Sequence, residues 1–268
     1  MDGIDVELRQ HVLTVTINRP ERRNSCTPDQ MNHIGKACAA AELDDDVRVV
    51  VLRGVGDAFC TGADLGETDL SASGGQIPPV TMGQNLFLSI LDLSKPLVAV
   101  VNGVAAGGGL SLALCCDIRI ASTNARFSTS FTRIGITAND ALAYLLPRTV
   151  GIAKALELIY IPRPIDAAEA ERIGLVSYVK PAEELEPFVD HFVAEIASGP
   201  PVGVRFSKRL VIDGLDRTYR EHVVAQEYAS LANRVLADHD VREGIAAFKE
   251  KRSPDFRGIV ATRRWQNY

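Results

Sequence analysis

The sequence predicts an α/β core followed by a helical last third. Val47–Leu52 and Leu97–Val101 are almost wholly apolar, as strands are when both of their faces are covered. Helical stretches alternate with such strands through the first half, the pattern of an α/β core. After Ala141 the periodicity is helical nearly to the end. With 268 residues, 46% hydrophobic and 24% charged, the chain can bury a sizeable core without disulfides or structural metal. We divide it into a core over residues 1–200 and a helical region over 201–268.

The chain opens on a hairpin, Val6–Leu8 and Val12–Ile17, rich in β-branched residues and stopped by Arg19-Pro20. Thr27-Pro28-Asp29 starts a helix that runs to about Leu43, a cap residue followed by proline in the first turn. After the strand Val47–Leu52, the stretch Leu65–Pro79 carries Ser71-Ala72-Ser73-Gly74-Gly75 and Pro78-Pro79. It is expected to be a long mobile loop of the kind that serves as a lid. Leu97–Val101 and Asp117–Ala121 are the next strands. Helices are then expected over Ala141–Leu146, Ile152–Ile159, Ala167–Ile173, Leu185–Ala197, Val204–Ile212, Arg220–Ala237 and Val241–Lys251, with Val176–Val179 extended between them.

Several classes of function are excluded early. Net charge is 29 − 34 = −5 and no long basic run occurs, so a nucleic-acid partner is not expected. The five cysteines, Cys26, Cys38, Cys60, Cys115 and Cys116, show no CxxC pairing; they suit buried thiols in the cytoplasm, not a disulfide frame or a metal site. Leu97–Cys116 is uncharged and long enough to cross a bilayer, yet Asn102-Gly103 and Gly107-Gly108-Gly109 would break a spanning helix, so no membrane association is expected. The acidic start MDGIDVELRQ shows no secretory signal. No GxGxxG follows a strand, and the glycine cluster lacks the Lys-Ser/Thr of a P-loop. Gly109-Leu110-Ser111-Leu112-Ala113 has the look of a nucleophile elbow, which would make Ser111 the nucleophile of a serine hydrolase. Against this, Asn102–Gly108 separates the strand from Ser111, and His191, His222 and His239 sit in helical, surface-type contexts.

Two glycine-containing turns carry the stronger signal. One is Asp57-Ala58-Phe59-Cys60-Thr61-Gly62-Ala63-Asp64-Leu65, the other Asn102-Gly103-Val104-Ala105-Ala106-Gly107-Gly108-Gly109-Leu110, and each follows a buried strand. Glycine there lets the backbone approach a ligand and aim free N–H groups at one spot. Two convergent donors make an oxyanion hole, worth about 2.7–4 kcal/mol per donor in a transition state. The other account of the same residues is tight turns and small-residue packing.

These turns, in their setting, resemble the crotonase (enoyl-CoA hydratase/isomerase) superfamily over nearly the whole chain. The resemblance rests on Ile17-Asn18-Arg19-Pro20 with Asn24, on Val49-Val50-Val51-Leu52-Arg53-Gly54 with Ala58–Asp64, and on Val101–Gly109 with Cys115-Cys116-Asp117-Ile118. Ile173-Gly174-Leu175-Val176, Glu243–Phe248 and Lys251-Arg252-Ser253-Pro254-Asp255-Phe256 extend it. It implies an α/β fold built as a crotonase-like spiral of ββα repeats with a helical C-terminal trimerisation region. It also implies an acyl-CoA thioester substrate, a homotrimer or dimer of trimers, and no metal or separate cofactor, coenzyme A arriving with the substrate. Carried over by position, the N–H groups of Ala63 and Gly108 would hold the thioester oxygen. The backbone of Phe59, Cys60 and Gly62 would border the adenine, and Arg22 or Arg23 would face the phosphates; Asp64, next to an oxyanion donor, counts among the substrate-binding positions but is read first as the anchor of its loop. Phe248 and Lys251 would close the site from a neighbouring subunit, unless Phe248 is core and Lys251 a solvated helix end.

The same resemblance shows a departure. Family hydratases use two glutamates as the acid/base pair that adds water; the corresponding positions here are Ser111 and Phe131. Neither is a carboxylate. Asn139 and Asp140 lie where some family isomerases and dehalogenases place a functional Asp, and either could instead cap the helix that follows. Glu67, Asp69 and Tyr144 are further candidates. The expected activity is therefore enolate chemistry on an acyl- or enoyl-CoA — isomerisation, hydrolysis, dehalogenation or carbon–carbon chemistry before ordinary hydration — with Asp140 as base. The alternative is a non-catalytic CoA-ester-binding homologue.

Overall fold

We describe a computed structural model of the chain over residues 3–64 and 81–259, with the backbone alone for 81–85. The expected lid, with Glu67 and Asp69, lies outside the described residues. The hairpin forms as β1 (Ile4–Arg9) and β2 (Val12–Ile17), and the first helix as α1 (Pro28–Leu43). Thr27 accepts from the Gln30 N–H and the Gln30 side chain accepts from the Thr27 N–H, a reciprocal cap whose loss would cost about 0.5–2 kcal/mol.

Three strand pairs follow, each split by a short connection. They are β3 (Val49–Gly54) with β4 (Ala58–Cys60), then β5 (Leu97–Val101) with β6 (Val104–Ala106), then β7 (Ile118–Ser122) with β8 (Arg126–Ser128). The first pair is followed by α2 (Thr81–Leu91) and the second by α3 (Gly108–Leu114); α2 has no counterpart in the sequence-based expectations. Of each pair, one strand joins a six-stranded sheet and the other a four-stranded sheet. The orders are β1-β2-β3-β5-β7-β10 and β4-β6-β8-β9, where β9 is Ile165–Asp166 and β10 is Tyr178–Lys180. From β2 to β10 the larger sheet is parallel, so the chain advances as a spiral of ββα turns.

Alternation along β3 and β5 explains their uninterrupted apolar sequences. Val50, Leu52, Leu97, Ala99 and Val101 face the main core, while Val49, Val51, Val98 and Val100 face the other way. That second face is covered by α7 (Ala182–Ser198) through Leu185, Val189, Val193 and Ala197, after α4 (Leu142–Val150), α5 (Ile152–Tyr160) and α6 (Ala167–Arg172). The chain ends in α8 (Pro201–Gly214), α9 (Tyr219–Leu236) and α10 (Asp238–Glu250). All five cysteines are free and buried, and no helix among the described residues is long and apolar enough to cross a membrane.

Candidate active site

The two glycine turns meet. The main chain of 60–64 lies against the start of α3: a methyl group placed on Gly62 would come within 3.0 Å of the Gly108 nitrogen, and one on Gly108 within 3.9 Å of the Ala63 nitrogen. Backbone conformation requires glycine at two of these places, Gly62 with φ +92° and Gly107, the residue preceding α3, with φ +52°.

Among the described residues neither central amide is spent on the protein's own main chain. Cys26 pairs with Ala63 as an isolated parallel bridge, its N–H donating to the Gly62 carbonyl at 2.8 Å and its carbonyl accepting from the Asp64 N–H at 3.0 Å. That pattern uses the groups on either side of Ala63 and turns Ala63's own N–H away. Gly107 donates to the Ser128 carbonyl, while Gly108 opens the helix, where an N–H has no intrahelical acceptor. Among the described residues neither the Ala63 nor the Gly108 N–H has a backbone acceptor. Two adjacent donors of this kind can share one carbonyl oxygen and favour the form of it that gains negative charge.

The far end of α3 is pinned. The Arg119 guanidinium is buried and donates to the carbonyls of Cys116 (2.6 Å) and Leu175 (2.6 Å), with Ala113 at 3.5 Å. These bonds tie the turn after α3 to the segment around Leu175. The other turn is held by Asp64, whose carboxylate meets Arg19 Nη1 at 3.2 Å, both side chains largely buried. Arg19 also donates to the Ser25 carbonyl and to Gln30. Buried Asn24 accepts from the Arg19 N–H and donates to the carbonyls of Val55 and Ala58, which fixes the β3–β4 connection. Asp64→Ala is expected to remove the carboxylate that meets Arg19 and to destabilise the fold by about 1–3 kcal/mol. Thermal unfolding measures it; an unchanged Tm would show that the pair does not hold the turn.

Asp140 supplies the carboxylate. Its Oδ2 lies 3.1 Å from the position a Cβ on Gly108 would take, beside the two amides. The carboxyl is half-buried, and burial raises its pKa above the usual carboxylate range with no cation lowering it. Asp140 and Ala141 both adopt left-handed backbone, φ +53° and +63°, an uncommon conformation for two consecutive non-glycine residues. This bend corrects the helix-cap alternative: α4 starts after Ala141 with no side-chain cap, and Asn139, exposed, contributes only its carbonyl to the Leu142 N–H at 2.9 Å.

The other candidates separate into three groups. Phe59, Cys60 and Gly62 are buried in and after β4, so only their main chain could meet a ligand, while Arg22 and Arg23 are exposed just before the Asn24 turn. Ser111 is fully buried on α3 with its hydroxyl on the Gly107 carbonyl, and no histidine hydrogen-bonds to it among the described residues. Phe131 is half-buried against the main core, and Tyr144 is partly exposed with the Arg148 guanidinium 3.6 Å from its ring centre. Phe248 is 87% exposed, so it is not core of its own subunit, and Lys251 ends α10 in left-handed conformation. Phe248 lines an apolar groove with Pro200, Val241, Ile245 and Phe256, and neither glycine turn nor Asp140 lines that groove. A larger groove, of about 1270 Å³, lies on the outer side of the six-stranded sheet between Thr14, Thr16 and α7; it reaches the first residue of each turn, Asp57 and Asn102, but not Ala63, Gly108 or Asp140. Sequence inspection gave Arg19 and Asn24 no role; their place in the Asn18-Arg19-Pro20…Asn24 motif was the signal.

Fold and site together define an α/β spiral protein in which two glycine turns and the Asp140 carboxylate come together at the start of α3. The sequence matches the enoyl-CoA hydratase/isomerase family over residues 7–259, and the chain belongs to that family. It is 36% identical over 257 residues to (E)-benzylidenesuccinyl-CoA hydratase of Thauera aromatica, covering 95% of this chain and 99% of that one. It is 33% identical over 264 residues to 1,2-epoxyphenylacetyl-CoA isomerase of Escherichia coli, covering 96% and 99%. Among solved structures, an enoyl-CoA hydratase from Bacillus anthracis superposes with a TM-score of 0.87 at 32% identity, covering 96% of this chain and all of that one.

Proposed function

We propose that the chain transforms an acyl-CoA or enoyl-CoA thioester by stabilising its enolate on the N–H groups of Ala63 and Gly108, with Asp140 as the base. The observation that carries this is the Asp140 carboxylate standing beside two donors that, among the described residues, have no main-chain acceptor. In the scheme, Asp140 takes a proton from the carbon next to the thioester, and the C–H electron pair passes to the carbonyl oxygen held by the amides. Protonated Asp140 can return that proton two carbons further on, so a carbon–carbon double bond migrates and no atom is gained or lost. The amides supply the polarisation, so the scheme needs no metal or cofactor beyond the coenzyme A of the substrate.

One base suits isomerisation better than hydration. Water addition needs an acid/base pair, and positions 111 and 131 hold a serine and a phenylalanine. Crotonyl-CoA is expected to be hydrated far more slowly than by a two-glutamate hydratase, while a 3-enoyl-CoA is isomerised. Steady-state assay of both decides it: hydration at a full hydratase rate overturns the proposal. The exposed Arg22 and Arg23 would meet the phosphates, and the backbone of Phe59–Gly62 would border the adenine.

Phe248 and Lys251 would act from a neighbouring subunit. In support, α9 has no buried residue, and Val224, Tyr228, Leu231 and Val235 form an exposed apolar stripe at spacings of four, three and four, as an unpaired helix face does. A homotrimer, or a dimer of trimers, would cover it.

The second proposal, a CoA-ester-binding protein without turnover, draws on the same two replaced positions. Tight acyl-CoA binding by calorimetry with no product across a thioester panel would favour it.

A further inference from the structure

We propose that a small inorganic anion binds in the small cavity where α8 joins the spiral core, held by Arg48, Lys95, Arg205 and Arg257. The cavity measures about 40 Å³ and lies between the turn before β3, Lys95 on the approach to β5, the first two turns of α8 and the segment that follows α10. A buried water needs about 10–15 Å³ on this measure, so the space holds more than one water-sized atom and less than an organic ligand.

The walls carry more positive than negative charge. Four cations line the cavity against one carboxylate, Asp45, which is exposed. Arg205 is neutralised by Glu42 at 2.8 Å and Arg257 by Asp255 at 3.0 Å. Arg48 and Lys95 are not: among the described residues neither has a carboxylate at ion-pair distance. Arg48 donates to the carbonyls of Ala197 (3.0 Å) and Phe256 (2.9 Å). Lys95 donates to the Asp44 carbonyl. Lys95 is only 2% exposed, and an ammonium has three donors. Burying such a group is costly, and here burial and the Arg205 guanidinium push its pKa down, which the nearby carboxylates of Glu42, Asp45 and Asp44 offset only in part. Pro201 and Val202 bring the start of α8 to the same cavity, and no side chain caps that helix. Its first-turn N–H groups add to the positive potential there. A bound anion would offset all of these terms, whereas a water would offset none of the charge.

The chemistry fits a halide or a phosphate-type oxyanion, and the test separates them. Thermal unfolding is followed in sodium chloride, sodium phosphate and sodium gluconate at equal ionic strength, gluconate being too large for the space. A saturating rise in Tm of about 3 °C in chloride or in phosphate, absent in gluconate, is expected. Arg257→Gln keeps the main-chain N–H that binds Asp240 and is expected to fold with most of that anion-specific rise lost. Lys95→Met should lose it too; if that variant does not fold, Arg257→Gln decides alone. Equal response to all three salts, or the full rise retained in Arg257→Gln, overturns the proposal.

Discussion

Replacing Asp140 with Asn is expected to lower kcat by about 100-fold or more while leaving the KM for the thioester nearly unchanged. A positioned general base is worth roughly 10²–10⁴-fold, and the carboxamide would occupy the same space without accepting a proton. The direction of the pKa shift adds two checks. Activity requires the ionised carboxylate, and burial raises its pKa, so the acid limb of the kcat/KM profile should lie above the range of an ordinary aspartate. Stability runs the other way. With the folded pKa above the unfolded one, the folded state holds more protons between the two values, so stability falls as pH rises through that window. The charged carboxylate is then a burden at neutral pH, and Asp140→Asn should unfold at the same temperature as the parent or higher. A slow variant that is also less stable would point to a structural role and remove Asp140 from the mechanism.

Gly108→Ala is expected to cost about tenfold in kcat without unfolding the chain. Its Cβ would sit 3.1 Å from Asp140 Oδ2 and 3.5 Å from the Gly62 Cα, so the carboxylate must give by a few tenths of an ångström. Displacing a catalytic group by about 1 Å can cost two orders of magnitude, and a smaller shift proportionately less. The neighbouring glycine separates site from scaffold. A Cβ on Gly109 would run into the Cys60 carbonyl oxygen, main chain that cannot yield, so Gly109→Ala should fail to fold stably. Comparable activity in Gly108→Ala and the parent would show that the space beside Gly108 is not where substrate reacts.

Much of this was legible in the sequence because it depends on local pattern. The buried strands β3 and β5 announce themselves through unbroken runs of Val, Leu and Ala, and the α1 start through Thr27-Pro28. The short strands β4, β6, β8 and β9 did not: two or three residues are too few to show alternation, and they are fixed by pairing with distant partners. The meeting of Ala63 with Gly108 was expected from the resemblance and is seen in the packing of the two turns. The Asp140–Ala141 bend was not legible. A residue before a helix usually reads as its cap, and only tertiary packing sets two left-handed residues in a row there. Phe248 was ambiguous for a different reason, since an apolar residue on a helix looks the same whether its cover is its own core or another molecule.

On the proposed function both donors are main-chain hydrogens, so no exchange of side chain, proline apart, can delete either of them. Mutation could then rewrite positions 111, 131 and 140, changing which atom receives a proton, while the grip on the carbonyl would persist. Such a division lets new reactions arise by single substitutions on an unchanged electrophile trap, and a chain lacking both hydratase glutamates is what that freedom would produce.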